Sequence, residues 1–187
     1  MMSESDQATT ADAEPKKSGI GIGKIVLAVI VLVVVGLVVL VAVQPAEFRV
    51  TRSETMAASP ADVFPHVNDL HNWDVWSPWA KRDPDAKNTY EGADAGEGAI
   101  FSWDGNDEVG AGRMTSVECR PDEYVRIKLD FLRPFEATNT SEFTFEPTGD
   151  ETKVSWSVFG ERGFMEKAFS LVIDVDQMLG ADFEQGL

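Results

Sequence analysis

Cysteine is nearly absent from this chain. The single Cys119 excludes an internal disulfide and any zinc site built on cysteine pairs. It falls in the strand-like stretch 113–120, where a small buried thiol is expected. Histidine is almost as scarce. His66 and His71 are the only two, and a spacing of five does not bring both to one helical face. No third ligand accompanies them, so neither a metal nor a cofactor is expected. Basic residues are few, 16 against 32 acids, for a formal net charge of −16. The first 43 residues carry four acids and three lysines, which leaves −15 on the remainder. A surface so acidic repels phosphates, so nucleic acid is not an expected partner. Its plain role is solubility. No serine or cysteine stands in a recognisable nucleophile motif.

What the chain does have is one long apolar run. Residues 1–19 are polar, rich in Ser, Thr, Ala and acids, and read as a disordered tail. The Gly19-Ile20-Gly21-Ile22-Gly23-Lys24 segment superficially suggests a phosphate loop. Ile25 stands where Ser or Thr would be needed and no strand precedes it, so a flexible juncture is the better reading. From residue 25 to 43 every position is apolar or glycine, enough to cross about 30 Å of hydrocarbon as a helix. The expected anchor is residues 20–44, a single-pass transmembrane helix. The run is long for a signal peptide, and Val41-Ala42-Val43 is a poor cleavage site. Gly36 has no glycine four residues away, so no dimerisation motif is present. Lys16, Lys17 and Lys24 precede the run, whereas Arg49 and Arg52 follow it. That balance favours a cytoplasmic tail and an extracytoplasmic (periplasmic) domain at residues 46–187.

That domain is organised around residues 59–79. Ser59 is a good helix cap, Pro60 suits the first helical position, and Asp62 puts an acid in the first turn. Pro65 keeps the helix short or bent. Trp73, Trp76 and Trp79 then follow within seven residues, and their rings need a broad apolar surface. Alternation predicts strands at 48–56, 88–91, 99–104, 112–120, 124–131, 136–146 and 153–160, separated by turn residues. In the cleanest, Val125, Ile127, Leu129 and Phe131 face one way and Tyr124, Arg126, Lys128 and Asp130 the other. Residues 80–86 read as a loop. Residues 164–187 are helical in period, with stripes Phe164-Ala168-Leu171 and Leu179-Phe183-Leu187 and a bend at 174–177.

The order of these motifs resembles the SRPBCC superfamily, which includes START-type lipid-transfer domains and the birch-pollen allergen. The resemblance rests on Ser59-Pro60-x-x-Val63-Phe64, then Asp69-Leu70-x-x-Trp73-x-x-Trp76-Ser77-Pro78-Trp79. Trp103-Asp104-Gly105-Asn106 and the terminal Phe183-Glu184-x-Gly186-Leu187 agree with it. Within the superfamily the chain is most similar to membrane-anchored bacterial proteins of polyketide cyclase/dehydrase type. The resemblance implies an α+β helix-grip (START-like) fold. Its parts are a curved antiparallel sheet of about seven strands, a long C-terminal helix and two short helices. The family's terminal helix usually runs several turns past the position of Leu187.

Binding and catalysis are both found on this fold. The expected inner face mixes Phe101, Trp103, Phe143 and Trp156 with Met114 and the polar Asn139 and Ser141. Large rings beside a few polar anchors suit a cavity for a small hydrophobic or amphipathic ligand, lipid- or polyketide-like. Trp73, Trp76 and Trp79 join those residues as candidate ligand contacts. Asp74, between two indoles, and His71, beside the cluster, are the weak catalytic candidates. Asp104-Gly105-Asn106-Asp107-Glu108 lacks calcium-loop spacing and reads as a hairpin turn. Two alternatives stay open: a polyketide cyclase/dehydratase-type enzyme, and a protein-interaction module that uses the Trp73 to Trp79 surface.

Overall fold

The structure is a computed structural model that describes residues 21–187; the tail expected at 1–19 lies outside the described residues. The chain divides into two compact units, one up to Leu40 and one from Val41 to Leu187. The first is, where described, most of helix α1 (Ile22–Ala42), whose last two residues fall in the second unit and whose only charged residue is Lys24. At 1.5 Å per residue its 21 residues extend about 31 Å. It is long and apolar enough to cross a membrane.

The second unit is built on seven antiparallel strands. They are β1 (Glu47–Met56), β2 (Lys87–Gly92), β3 (Ala99–Asp104), β4 (Ala111–Arg120), β5 (Tyr124–Arg133), β6 (Ala137–Thr148) and β7 (Glu151–Glu161). All seven expected strands form, because period-two alternation against one buried face is a local signal. The spatial order is β1-β7-β6-β5-β4-β3-β2. Every neighbour from β2 to β7 is a hairpin neighbour. β1 alone pairs across the chain, with Thr51 opposite Ser157.

Between β1 and β2 lie helix α2 (Pro60–Asn68), a 3-10 turn at Leu70–Asn72, and helices α3 (Trp73–Trp76) and α4 (Pro78–Arg82). The Asp62 carboxylate accepts from the Ser59 hydroxyl at 2.6 Å and from its N–H at 3.3 Å, which fixes the start of α2. The tryptophans do not follow the helices, as expected, but sit in them. The loop expected at 80–86 begins only after Arg82, because Pro78 starts another turn of helix. Phe64 packs edge-on against Phe145, 5.5 Å between ring centres, and closes one end of the sheet.

The C-terminal segment is two helices, α5 (Phe164–Phe169) and α6 (Val175–Gly186). The break falls at 170–174, a few residues before the expected bend. Val172 and Ile173 are β-branched, and Asp174 accepts from the Gln177 N–H at 3.0 Å and starts the second helix. Leu179, Phe183 and Leu187 pack on the sheet core. The other expected stripe does not: Phe164 and Leu171 are exposed. Two arginines hold α6 down through three ion pairs. Arg82 on α4 binds the buried Asp182, and Arg52 on β1 reaches Glu184 at 2.9 Å and Asp176 at 2.8 Å. Gly180 gives Arg52 its room, since a Cβ there would lie against the guanidinium.

Tyr124 faces outward as alternation predicts, yet it is buried beneath Arg120 and Arg126. It donates to Glu142 at 2.6 Å, and Arg126 donates to the same oxygen at 3.0 Å. Burial pushes the Glu142 carboxyl up. The hydrogen bonds from Tyr124 and Arg126, with the charges of Arg126 and Arg49, outweigh it and hold the group below its usual range. A depressed carboxylate stabilises the fold above its unfolded pKa, about 4.3, and that contribution is lost as pH falls through the folded value. Glu142→Gln is therefore expected to cost about 1 kcal/mol at neutral pH and nearly nothing in acid. Melting curves from pH 3 to 7 check it; an equal loss at both ends would refute the assignment.

Candidate functional site

Register places the inner-face residues in rows across the strands. One row runs Phe48, Gly160, Asn139, Leu129, Met114, Phe101 and Tyr90. Next to it, towards the end of the sheet where β1 begins, stand Phe131, Gly112 and Trp103. Away from that end, Val125, Phe143 and Trp156 form a packed row, of which only Trp156 reaches the cavity. Over the first two rows and reaching Ser141, Val158 and Trp156, beneath α6 and the tryptophan helices, lies a partly open cavity of about 290 Å³. That is near the lower end of the range for small-molecule sites, about 300–1,000 Å³.

Trp73 and Trp79 line the cavity from the helices, with Asp74 beside them. Phe101, Trp103, Met114, Asn139, Ser141 and Trp156 line it from the sheet. Gly112 lets Trp103 lie flat on β4, because a Cβ there would come within 2.4 Å of the indole. Trp76 and Phe143 were also expected among the contacts, but they do not form the wall. Trp76 stands behind Trp73, 4.7 Å between ring centres, and donates to the His66 carbonyl at 2.9 Å. Phe143 stacks on Trp156 at 4.9 Å in the packed row. Wall residues not singled out as ligand contacts include the charged Asp83, Glu108 and Arg133, and the apolar Phe48, Leu129, Phe131, Leu179 and Phe183. Their apolar alternation was a sufficient signal for Leu129, Phe131 and Phe183.

The indole N–H groups of Trp73, Trp103 and Trp156 at the wall are occupied. The Trp156 indole donates to Ser141 at 2.9 Å, Trp73 to the Val67 carbonyl at 2.9 Å, and Trp103 to the Val109 carbonyl at 3.0 Å. Among the buried side-chain atoms of the wall, the Asn139 Oδ1 has no hydrogen-bond partner. A buried unpaired amide costs about 1–3 kcal/mol.

Besides Asp83, Glu108 and Arg133, Asp74 lines the cavity and forms a separate corner with Tyr90 and His71. Asp74 accepts from the Tyr90 hydroxyl at 3.2 Å and from Asn88 at 3.4 Å. His71 does not line the cavity; its ring stacks on Tyr90 at 4.0 Å and meets Asp69 at 2.9 Å. Burial, together with the Asp74 charge, pushes the Tyr90 phenol up to about 12, so it stays a donor at neutral pH. Cys119 is half-buried and donates to Asn68 at 3.0 Å; burial and the Glu97 charge push its thiol up, away from a reactive thiolate. Among the described residues no cluster of three His, Cys, Asp or Glu could hold a metal.

A seven-stranded antiparallel sheet with a C-terminal helix over a ring-lined cavity defines a helix-grip domain. Residues 47–187 match the family model described as polyketide cyclase / dehydrase and lipid transport, and the chain belongs to that family. Comparison with curated proteins gives no match. Among solved structures, protein MLL2253 from Mesorhizobium loti is 16% identical with a TM-score of 0.54, covering 74% of this chain and 93% of that one. Protein CV1439 from Chromobacterium violaceum is 15% identical with a TM-score of 0.52, covering 76% and 92%. The di-domain ARO/CYC StfQ of the steffimycin biosynthetic pathway is 15% identical with a TM-score of 0.54, covering 75% of this chain and 48% of that one. At these identities the likeness is one of fold.

Proposed function

We propose that this chain is a membrane-anchored binding domain that holds a small hydrophobic or amphipathic molecule in the cavity under α6. One observation carries the reading: a ring-lined, partly open space whose buried wall contains a single unpartnered amide, Asn139. A solid core has no use for that amide, and a purely apolar ligand has none either. An amphipathic ligand with one polar group would satisfy it. The apolar helix α1 supports anchoring, and Lys24 at its start favours a domain outside the cytoplasm. A reporter fused after Leu187 that works only in the cytoplasm would reverse that orientation.

Asn139→Leu separates binding from packing. The change removes an unpaired buried group, so the unliganded fold is expected to gain about 1–2 kcal/mol. Affinity for a fluorescent fatty-acid probe should fall about tenfold, or 1.4 kcal/mol, while a purely hydrocarbon dye is retained. If neither probe binds the wild-type protein, and organic extracts of it contain no small molecule by mass spectrometry, the binding reading fails.

A cyclase- or dehydratase-type activity is the second reading, favoured by the Tyr90 to Asp74 contact at the cavity edge. It requires turnover that Asp74→Asn abolishes while ligand retention stays unchanged.

A further inference from the structure

Large apolar side chains exposed on the Val41 to Leu187 unit are not spread evenly. Apart from Val75, Val117 and Met178, those of the described residues gather around one end of the sheet. Leu132 and Phe135 flank the turn between β5 and β6. Phe164, Met165 and Phe169 are on α5, and Leu171 and Val172 follow it. Val172 is 86% exposed. Helix α5 begins three residues after β7 ends, and β7 ends where β1 begins, with Glu161 opposite Glu47. The Arg162 N–H donates to the Ala46 carbonyl at 2.7 Å, and its guanidinium donates to the Pro45 carbonyl at 3.1 Å. Residues 170–176 share a groove with Phe48, Arg49, Val50 and Arg162. The apolar patch is therefore fastened to the first residues of the folded unit.

Those residues are also where the chain leaves α1. Only Val43 to Ala46 separate the two elements, which limits the gap to about 14–18 Å even when fully extended. If α1 lies in a bilayer, this end of the sheet cannot be far from its surface. The opposite end, the β6–β7 turn at Gly149 and Asp150, lies about 33 Å away along the strands, and only Val117, on β4 near the β4–β5 turn, is such a side chain towards that end among the described residues. Soluble surfaces rarely gather apolar side chains in this way without something to cover them. The charges at this end are mixed, Arg133, Arg162 and Lys167 with Glu136, Glu161 and Glu166, and rings and aliphatic chains among them suit the boundary between headgroups and acyl chains.

We infer that α5, the residues that follow it and the β5–β6 turn insert their apolar side chains into the surface of the bilayer that α1 crosses. This rests on the anchoring part of the proposed function. It seats the cavity rows, which begin one residue from the start of β1, against the membrane, so that an acyl chain could enter without crossing water.

The test uses the full chain in phosphatidylcholine nanodiscs, with Cys119→Ser and one new cysteine bearing an environment-sensitive NBD label. Labels go at Val172→Cys, Phe135→Cys, Asp150→Cys and, within α1, Val34→Cys. The expected result is blue-shifted emission at 172 and 135 that shallow doxyl-labelled lipid quenches, water-like emission at 150, and quenching by deep doxyl lipid at 34. Water-like emission at 172 and 135, with 34 quenched, overturns the inference and leaves the anchor intact. A blue shift at 172 that no lipid quenches, and that fades on dilution, shows a second copy covering the patch and also overturns it. Loss of quenching at 34 removes the anchor and this inference together.

Discussion

Trp156→Ala should lower the melting temperature of the folded unit by roughly 10–15 °C, about 3–5 kcal/mol. Trp156 is among the largest fully buried side chains, and it is the centre of the aromatic stack. Phe183 of α6 lies parallel to it at 4.2 Å, and Phe143 lies on it at 4.9 Å. Trp73, Trp76 and Trp79 meet it edge-on at 5.6–6.1 Å. One ring thus joins the sheet, the tryptophan helices and the terminal helix, and its removal loosens all three contacts. Trp156→Phe keeps a ring and leaves the Ser141 hydroxyl without its donor, so about 1–2 kcal/mol is expected from that change. Thermal unfolding followed by near-ultraviolet circular dichroism measures both. Equal melting temperatures for the two variants would mean that the stack contributes little.

Arg82→Ala is expected to cost about 2–3 kcal/mol, more than Asp182→Ala, although both break the same pair. The asymmetry follows from exposure. The Asp182 side chain is 9% exposed, whereas Arg82 is 37% exposed. Without Arg82 the carboxylate is left in a closed place with no counter-charge. Without Asp182 the guanidinium turns to water, and the loss should be about 1 kcal/mol or less. The pair fastens α6 to α4, so Arg82→Ala should also speed escape of a bound probe from beneath α6. Urea unfolding of both single variants and the double variant checks the argument. A larger loss for Asp182→Ala would show that the arginine, not the aspartate, is the group that burial strands.

How much of this could be read in the sequence depended on the range over which each signal acts. The inner face of β5, from Val125 to Phe131, was legible because alternation is a property of neighbouring residues. So were Trp103, Asn139 and Ser141 as inward-facing positions. Distance along the strand was not legible. Phe143 and Asn139 share a face of β6, yet Asn139 meets the cavity and Phe143 the solid core, because only the position of α6 and the tryptophan helices decides which row is filled. Trp76 was misplaced for a similar reason: its motif says that three indoles cluster, but not which one stands behind the others. Tyr90 carried no motif at all, and its contact with Asp74 joins a strand to a helix 16 residues earlier. The stripe Phe164-Ala168-Leu171 is legible as apolar, but periodicity does not say what covers it, and Phe164 and Leu171 lie exposed.

The pairing of β1 with β7 sets an order of events during synthesis. Thr51 and Ser157 lie 106 residues apart, so β1 leaves the ribosome long before its partner exists. At about 5–20 residues per second, the wait is about 5–20 s. For that time β1 is a bare strand with unsatisfied hydrogen-bonding groups, the condition in which chains pair with the wrong neighbour. Its composition suits the delay. Glu47, Arg49, Thr51, Arg52, Ser53, Glu54 and Thr55 leave only three apolar residues in ten, too few to seed aggregation. The hairpins from β2 to β7 can meanwhile close one after another through local contacts, with β1 adding last along the edge of a finished sheet.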